Sequence, residues 1–221
     1  MRRVKRVPRQ PVRRWRAGDL QFAAAADDPG TLRRLLPTLT PAERALRHRL
    51  RVRHLIGRAL LRHLLLRATG SGRRRIRFLR NRRPLDRSPD RRRFALSVTH
   101  GGGCVVAVIA PGASAGRRIG VDLEPRGREL SPRLRRRIGG GIARWLHLEA
   151  VLKCDGRGVP ALERALTGFG AGPGPDPVAE AGTGSLGAYR LADRPARRIV
   201  VTDVSAPRRG RYRLAVARSR R

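Results

Sequence analysis

A short buried strand is predicted by the stretch IGVDLEP, Ile119 to Pro125, in which apolar residues surround two acids. On a strand, Asp122 and Glu124 project from the same face because successive side chains alternate. Two carboxylates held side by side repel each other, and a hard divalent cation such as Mg²⁺ would relieve that repulsion through oxygen ligands. The alternative interpretation is an exposed edge strand whose acids are solvated or paired with Arg117 or Arg126.

The rest of the chain is strongly basic, which makes this acidic pair stand out. It has 221 residues with 52 Lys+Arg against 16 Asp+Glu, a formal net charge of +36, and its only lysines are Lys5 and Lys153. A basic surface attracts polyanions such as nucleic acid, phosphorylated cofactors or acidic proteins. The coding bias of a GC-rich genome is an equal explanation for the excess of Arg.

The composition predicts a globular chain without a membrane span. Hydrophobic residues make up 40% of the chain, enough for a core, and the length fits one large domain or two small ones. No apolar run is long enough to cross a bilayer, and no apolar segment follows the basic N-terminus. Cys104 and Cys154 form no CxxC pair. We therefore expect a cytoplasmic protein.

Helices and further strands are predicted on both sides of the opening stretch. Thr40 and Glu43 suit a helix start, leucines recur at helical spacing from Leu46 to Leu66, and Gly70 suits the helix end. A second helical pattern, Ser131–Lys153, is interrupted by three glycines. The other predicted strands are Val12–Trp15, Ile76–Leu79, two around a glycine turn within Phe94–Ala110, Arg198–Val204 and Arg211–Ala217.

Two strand endings echo each other about half a chain apart: CVVAVIA from Cys104 and YRLAVARS from Tyr212. The echo favours an α+β fold of two similar halves, residues 1–115 and 116–221, joined near Pro111–Gly116. The Gly/Pro-rich segment 168–187 is predicted to be a loop.

A second group of polar residues lies in RWLHLEAVLKCDGRG, Arg144 to Gly158. On a helix, Trp145, Glu149 and Lys153 are spaced i, i+4 and i+8 and share one face. Glu149 could give a cation a third oxygen ligand, and Lys153 could neutralise phosphate oxygens. A plain surface ion pair between Glu149 and Lys153 is the alternative.

A third group lies in SVTHGGG, Ser97 to Gly103. His100 ends a predicted strand at a glycine turn, where the backbone can approach a phosphate closely. A purely structural histidine is the alternative.

Taken in order, S-x-T-H, G-V-D-L-E and W-x-x-x-E-A-x-x-K-x-x-G-x-G resemble the motifs of the 4′-phosphopantetheinyl transferases of the surfactin-synthetase type. VRRWRAGDL is similar to that family's first strand, ERALRHRLRVRHLIGRALLRHLL to its first long helix, and VTDVSAPRRGRYRLAVA to its last hairpin. The resemblance therefore covers nearly the whole chain. It implies a pseudo-dimer of two α/β halves in one chain, and we expect a monomer.

The resemblance also implies an activity and its residues. The 4′-phosphopantetheine arm of coenzyme A would pass to a serine of an acidic apo carrier protein, with Mg²⁺ present and 3′,5′-ADP released. The implied metal ligands are Asp122, Glu124 and Glu149, with Glu149 also the base and Lys153 acting on the leaving phosphate. The implied coenzyme A contacts are Thr99, His100, Lys153, Arg47, Arg53 and Arg83.

The chain departs from the family pattern at three places. Leu148 stands where the family has the lysine of KEA, and Asn81 replaces the glycine of G-[KR]-P. Only 20 residues, Pro125 to Arg144, separate the second and third motifs, fewer than is usual in the family.

Three other functions remain open. The charge fits a non-enzymatic nucleic-acid-binding protein, but no RNP motif or zinc-finger spacing is present and aromatic residues make up only 4%, so we expect no nucleic-acid partner. The acids alone would also suit another Mg²⁺-dependent phosphoryl enzyme, such as a nuclease. Leu148 motivates the third, a degenerate transferase that binds coenzyme A without turnover.

Overall fold

The chain forms a mixed α+β structure with two antiparallel sheets. The computed structural model describes residues 12–70, 94–111, 118–156, 185–191, 194–204 and 211–220. The described strands are Arg13–Ala17 (β1), Leu20–Ala26 (β2), Phe94–Gly101 (β3), Cys104–Pro111 (β4), Ile119–Pro125 (β5), Ser185–Leu191 (β6), Arg194–Val204 (β7) and Tyr212–Arg220 (β8). The described α-helices are Pro29–Leu35 (α1), Pro41–Ala45 (α2), Val52–Thr69 (α3), Pro132–Ile138 (α4) and Ile142–Asp155 (α5).

Each sheet is built from one part of the chain. Within the described residues the first sheet has the order β1-β2-β4-β3, and the second has the order β5-β8-β7-β6. The edge strands β3 and β5 are in contact. The backbone N–H of Val121 on β5 donates to Oγ of Ser97 on β3 at 3.1 Å. The two sheets therefore adjoin where the acidic strand lies.

The two parts follow a similar strand order. In each part, the last strand before the long helix pairs with the final strand of that part. In the first part β2 precedes α3 and pairs with β4, and in the second β5 precedes α5 and pairs with β8. The sequence echo at Cys104 and Tyr212 falls on β4 and β8, which hold equivalent places. The predicted α+β class is confirmed. The division at residues 115 and 116 lies outside the described residues and stays a prediction.

Three apolar clusters hold the layers together. Helix α3 packs on the first sheet, for example through Leu60 and Val105, and α5 packs on the second through Leu152 and Val201. A third cluster, which includes Val121, lies between the sheets. Burial of this apolar surface is the main force that stacks the layers. None of the described helices is both long and apolar enough to cross a membrane.

The long N-terminal helix begins later than predicted. Thr40 is an N-cap as predicted and forms a capping box with Glu43, but the box starts the separate short helix α2. Leu46 and Leu50 lie in a 3-10 turn and the segment after it, and both pack on the first cluster. The two leucines have helical spacing, but the long helix itself begins only at Val52.

The strand predictions are confirmed for β1, β3, β4, β5, β7 and β8. Strand β2 was missed because its run of alanines has low strand propensity, and β6 was missed because it overlaps the segment 168–187, which was predicted as a loop. The predicted strand Ile76–Leu79 lies outside the described residues. The helical pattern Ser131–Lys153 divides into α4 and α5 at Gly139, whose φ of +64° ends α4.

Candidate functional site

Helix α5 lies directly on strand β5, and a glycine makes this possible. A Cβ at Gly120 would lie 2.0 Å from the carbonyl oxygen of Ala150 and 2.4 Å from the amide nitrogen of Cys154. Only a residue without a side chain allows this approach. It brings the Glu149–Lys153 face of α5 over the acids of β5.

The three predicted carboxylates converge. One oxygen atom from each of Asp122, Glu124 and Glu149 lies within 4.8 Å of the other two. Asp122 and Glu124 are each only 2% exposed, whereas Val121 and Leu123 face the cluster between the sheets. The alternative of solvated acids on an exposed edge strand is therefore wrong.

Asp122 is held by the other two motifs. Its Oδ1 accepts a hydrogen bond from the hydroxyl of Thr99 at 2.9 Å and one from Nζ of Lys153 at 2.5 Å. Lys153 also donates to Oγ1 of Thr99 at 3.1 Å. The three predicted motifs, on β3, β5 and α5, thus meet in one hydrogen-bonded group. Lys153 binds Asp122, and the surface pair with Glu149 is not what positions it.

Glu124 is held in a similar way by two other donors. Its Oε1 accepts a hydrogen bond from the indole Nε1 of Trp145 at 3.2 Å. The same oxygen accepts one from the guanidinium of Arg128, which forms an ion pair with it. Trp145 therefore belongs to the polar row, as its spacing with Glu149 predicted.

Each of these two acids keeps one oxygen atom without a partner. Among the described residues, nothing hydrogen-bonds with the buried Oδ2 of Asp122 or the buried Oε2 of Glu124. A buried acceptor without a partner is costly, and two anionic ones are more so. A hard cation with carboxylate ligands fits this donor set, because Mg²⁺ is bound through oxygen.

The third acid, Glu149, is partly protonated near neutral pH. Burial, and then repulsion from the charge of Asp122, raise the pKa of Glu149 from 4.5 to about 7. Lys153 acts in the opposite direction but does not cancel them. A cation bound by the cluster would remove the repulsion and favour the carboxylate form.

His100, at the end of β3, lies next to the carboxylates and close to two positive charges. Desolvation of the His100 ring lowers its pKa below 6.5, and the nearby charges of Arg53 and Lys153 lower it further. The ring centroids of His100 and His54 are 6.0 Å apart. His100 is therefore neutral at neutral pH and lies among positive charges, where an anion would be stabilised.

Arg53, one of the predicted anion-binding arginines, lies near His100. Arg53 is close enough to His100 to influence its pKa, whereas the guanidinium of Arg47 donates to Nε2 of the adjacent His48 at 3.0 Å, in the exposed turn before α3. Arg83 lies outside the described residues. Leu148 is 2% exposed and packs in the cluster between α5 and the second sheet.

Two functional contributions were missed by the sequence analysis. The pairing of Arg128 with Glu124 had only their four-residue spacing as a signal, in a region that is a turn and not a helix. The close approach at Gly120 had the glycine itself as a signal, in a strand where glycine is otherwise unfavourable.

No protein-family model matches the chain, and no curated protein matches its sequence significantly. The function is therefore inferred from the residues of the site itself.

Proposed function

We propose that this protein is a 4′-phosphopantetheinyl transferase, which moves the phosphopantetheine arm of coenzyme A to a serine of an apo carrier protein. The observation that carries the proposal is the meeting of three motifs in one group. Thr99 on β3, Asp122 on β5 and Lys153 on α5 hydrogen-bond with each other, although they are far apart in sequence. The similar strand order of the two parts supports the pseudo-dimer that such an enzyme implies.

The acidic cluster would serve to hold a cation against the pyrophosphate of coenzyme A. Asp122, Glu124 and Glu149 would be its ligands, and the unpartnered oxygens of the first two would fit it best. Bound Mg²⁺ would neutralise the charge of the pyrophosphate and of the leaving phosphate. Trp145 would support the metal site from behind its ligands, because its indole N–H orients Glu124.

The proton of the attacking serine would go to Glu149, directly or through one water. The serine oxygen forms a bond to the β-phosphorus of coenzyme A, and the bond from that phosphorus to the oxygen of the leaving 3′,5′-ADP breaks. Glu149 is partly buried beside the other two acids, and its carboxylate form would accept this proton. Such a transfer depends mainly on positioning and charge neutralisation.

The leaving group would be stabilised by positive charge from α5 and α3. Nζ of Lys153 lies 2.5 Å from Oδ1 of Asp122 and its side chain is 27% exposed, so it can reach an anion bound beside the acids. The neutral ring of His100, which can donate a hydrogen bond, and the positive charge of Arg53 lie nearby and suit a second phosphate of coenzyme A. Phosphate-binding groups of this kind supply much of the rate enhancement in phosphoryl transfer.

The carrier protein would be drawn in by charge. The formal net charge of the chain is +36, and the short helix α4, whose Ile138 packs in the same cluster as Trp145, carries arginines at positions 133, 135, 136 and 137. An acidic partner is therefore steered towards the protein at low ionic strength.

A transfer assay tests the proposal. Purified protein, coenzyme A and Mg²⁺ are mixed with a panel of apo carrier proteins, and intact mass reports the phosphopantetheine addition. We expect addition by the wild type and by Glu129→Gln, which removes an exposed acid outside the cluster, but not by Glu149→Gln. Addition that is equal in all three proteins contradicts the proposed site.

Two binding measurements, made beside the transfer assay, distinguish the other functions. Coenzyme A binding without transfer to any carrier favours a degenerate transferase. Salt-sensitive DNA binding that is unchanged by Asp122→Ala, together with no coenzyme A binding, favours a nucleic-acid-binding protein.

A further inference from the structure

Arg128 places a positive group against the acidic cluster, where a metal site would not require one. Its guanidinium forms an ion pair with Oε1 of Glu124, whose side chain is 3% exposed, while its own side chain is 45% exposed. It also lies within electrostatic reach of Asp122 and Glu149. A positive group of this protein therefore already neutralises one of the three acids that would bind a cation.

Lys153 neutralises a second acid in the same way, but it is held more firmly than Arg128. It is tied to both Asp122 and Thr99 and projects from a helix whose other faces are buried. Arg128 follows a turn in which its backbone N–H donates to the carbonyl of Pro125, and it reaches Glu124 from the solvent side. Of the two groups, Arg128 is the one that can leave at low cost.

We propose that Arg128 competes with a divalent cation for Glu124, so that it weakens cation binding and is released from Glu124 when the cation binds. A guanidinium that is hydrogen-bonded to a carboxylate withdraws negative charge from it. The guanidinium also repels a metal cation that approaches the same carboxylate. Among the described residues, loss of Arg128 leaves Glu124 with the neutral indole of Trp145 as its one hydrogen-bond donor. The inference depends on the proposed metal site but not on the transfer reaction.

Calorimetric titration of the full chain with Mg²⁺ and with Mn²⁺ tests this inference. The variant is Arg128→Gln, and the matched control is Arg126→Gln, which removes the same charge from an exposed position two residues away. We expect Arg128→Gln to bind the cation about fivefold more tightly than the wild type, the upper range for a partly exposed ion pair. Arg126→Gln should differ much less because solvent and salt screen its charge.

Asp122→Asn assigns the measured heat to the cluster, because it should abolish the binding. An affinity that is unchanged in Arg128→Gln overturns the inference and leaves the metal site intact. A weaker affinity in Arg128→Gln also overturns it, since Arg128 would then support the site. Absence of cation binding in every variant, including the wild type, overturns both the metal site and this inference.

The release of Arg128 has its own spectroscopic signature. The ¹⁵N signal of the Arg128 guanidinium, assigned by its loss in Arg128→Gln, should report a bonded group without the cation. Addition of Mg²⁺ should shift it towards the position of a solvated arginine. A signal that stays unchanged at saturating Mg²⁺ contradicts the release.

Discussion

Gly120 and Ala150 are in van der Waals contact through their backbones, and a methyl group added to Gly120 would lie 2.0 Å from the carbonyl oxygen of Ala150. The contact involves backbone atoms, which cannot rotate away. The distance between α5 and β5, and with it the spacing of the three acids, therefore depends on this glycine.

The first prediction concerns this contact. Gly120→Ala should lower the free energy of unfolding by about 3 kcal/mol, the upper range for overpacking, because helix and strand must separate. Urea denaturation measures the change. Gly127→Ala is the control, since a Cβ there has nothing within 4 Å. Equal effects of the two substitutions would show that α5 does not lie closely on β5.

The second prediction concerns the pH dependence set by Glu149. Its pKa is about 7 in the folded protein and 4.5 in the unfolded chain, so between these values only the folded state holds the proton. The free energy of unfolding should therefore fall as the pH rises through this window, by up to about 3 kcal/mol. Mg²⁺ should restore it above pH 7.

Glu149→Gln isolates that contribution. Other carboxyl groups give the opposite slope: hydrogen bonds from Thr31 lower the pKa of Asp28, so its stabilising effect is lost as the pH falls. The difference between wild type and Glu149→Gln cancels such groups. A difference that does not change between pH 4.5 and 7 contradicts the raised pKa of Glu149.

The third prediction concerns His100. Its pKa should lie below 6.5, and Arg53→Gln should raise it, because one of the nearby positive charges is removed. Inorganic phosphate or coenzyme A should also raise it, since an anion favours the imidazolium form. Proton NMR titration of the ring measures these shifts. Arg47→Gln serves as the control and should leave the pKa of His100 unchanged.

The fourth prediction concerns Leu148. Replacing it with the lysine of the family motif should destabilise the protein severely, by on the order of 3–5 kcal/mol, because an ammonium group would enter an apolar cluster without a partner. Leu148→Met should cost less than about 1.5 kcal/mol. Thermal unfolding separates the two. A lysine variant as stable as the wild type would show that position 148 is not enclosed in the apolar cluster.

The local geometry of the site follows from simple periodicities in the sequence. Alternation along a strand was enough to place Asp122 and Glu124 on one face, and the four-residue helical repeat placed Trp145, Glu149 and Lys153 on another. Their convergence was implied by the resemblance and could not be derived from spacing, because it depends on how β3, β5 and α5 pack.

The features that the sequence did not predict are all tertiary. Leu148 stands where the family motif has a lysine, and the motif did not predict that the packing of α5 directs this position into the core. Arg128 reaches Glu124 across a turn, and no periodic pattern covers such a contact. The start of α3 was misplaced because Leu46 and Leu50 pack on the core from a non-helical segment with helical spacing.

The most direct measurement is the coupling between Mg²⁺ and coenzyme A binding, because it requires no knowledge of the carrier protein. Coenzyme A is titrated calorimetrically into the wild type and into Asp122→Asn, with and without Mg²⁺. We predict that Mg²⁺ tightens coenzyme A binding about tenfold or more in the wild type and has no effect in Asp122→Asn. Coenzyme A binding that is indifferent to Mg²⁺ in the wild type, or no binding at all, would contradict the proposed site.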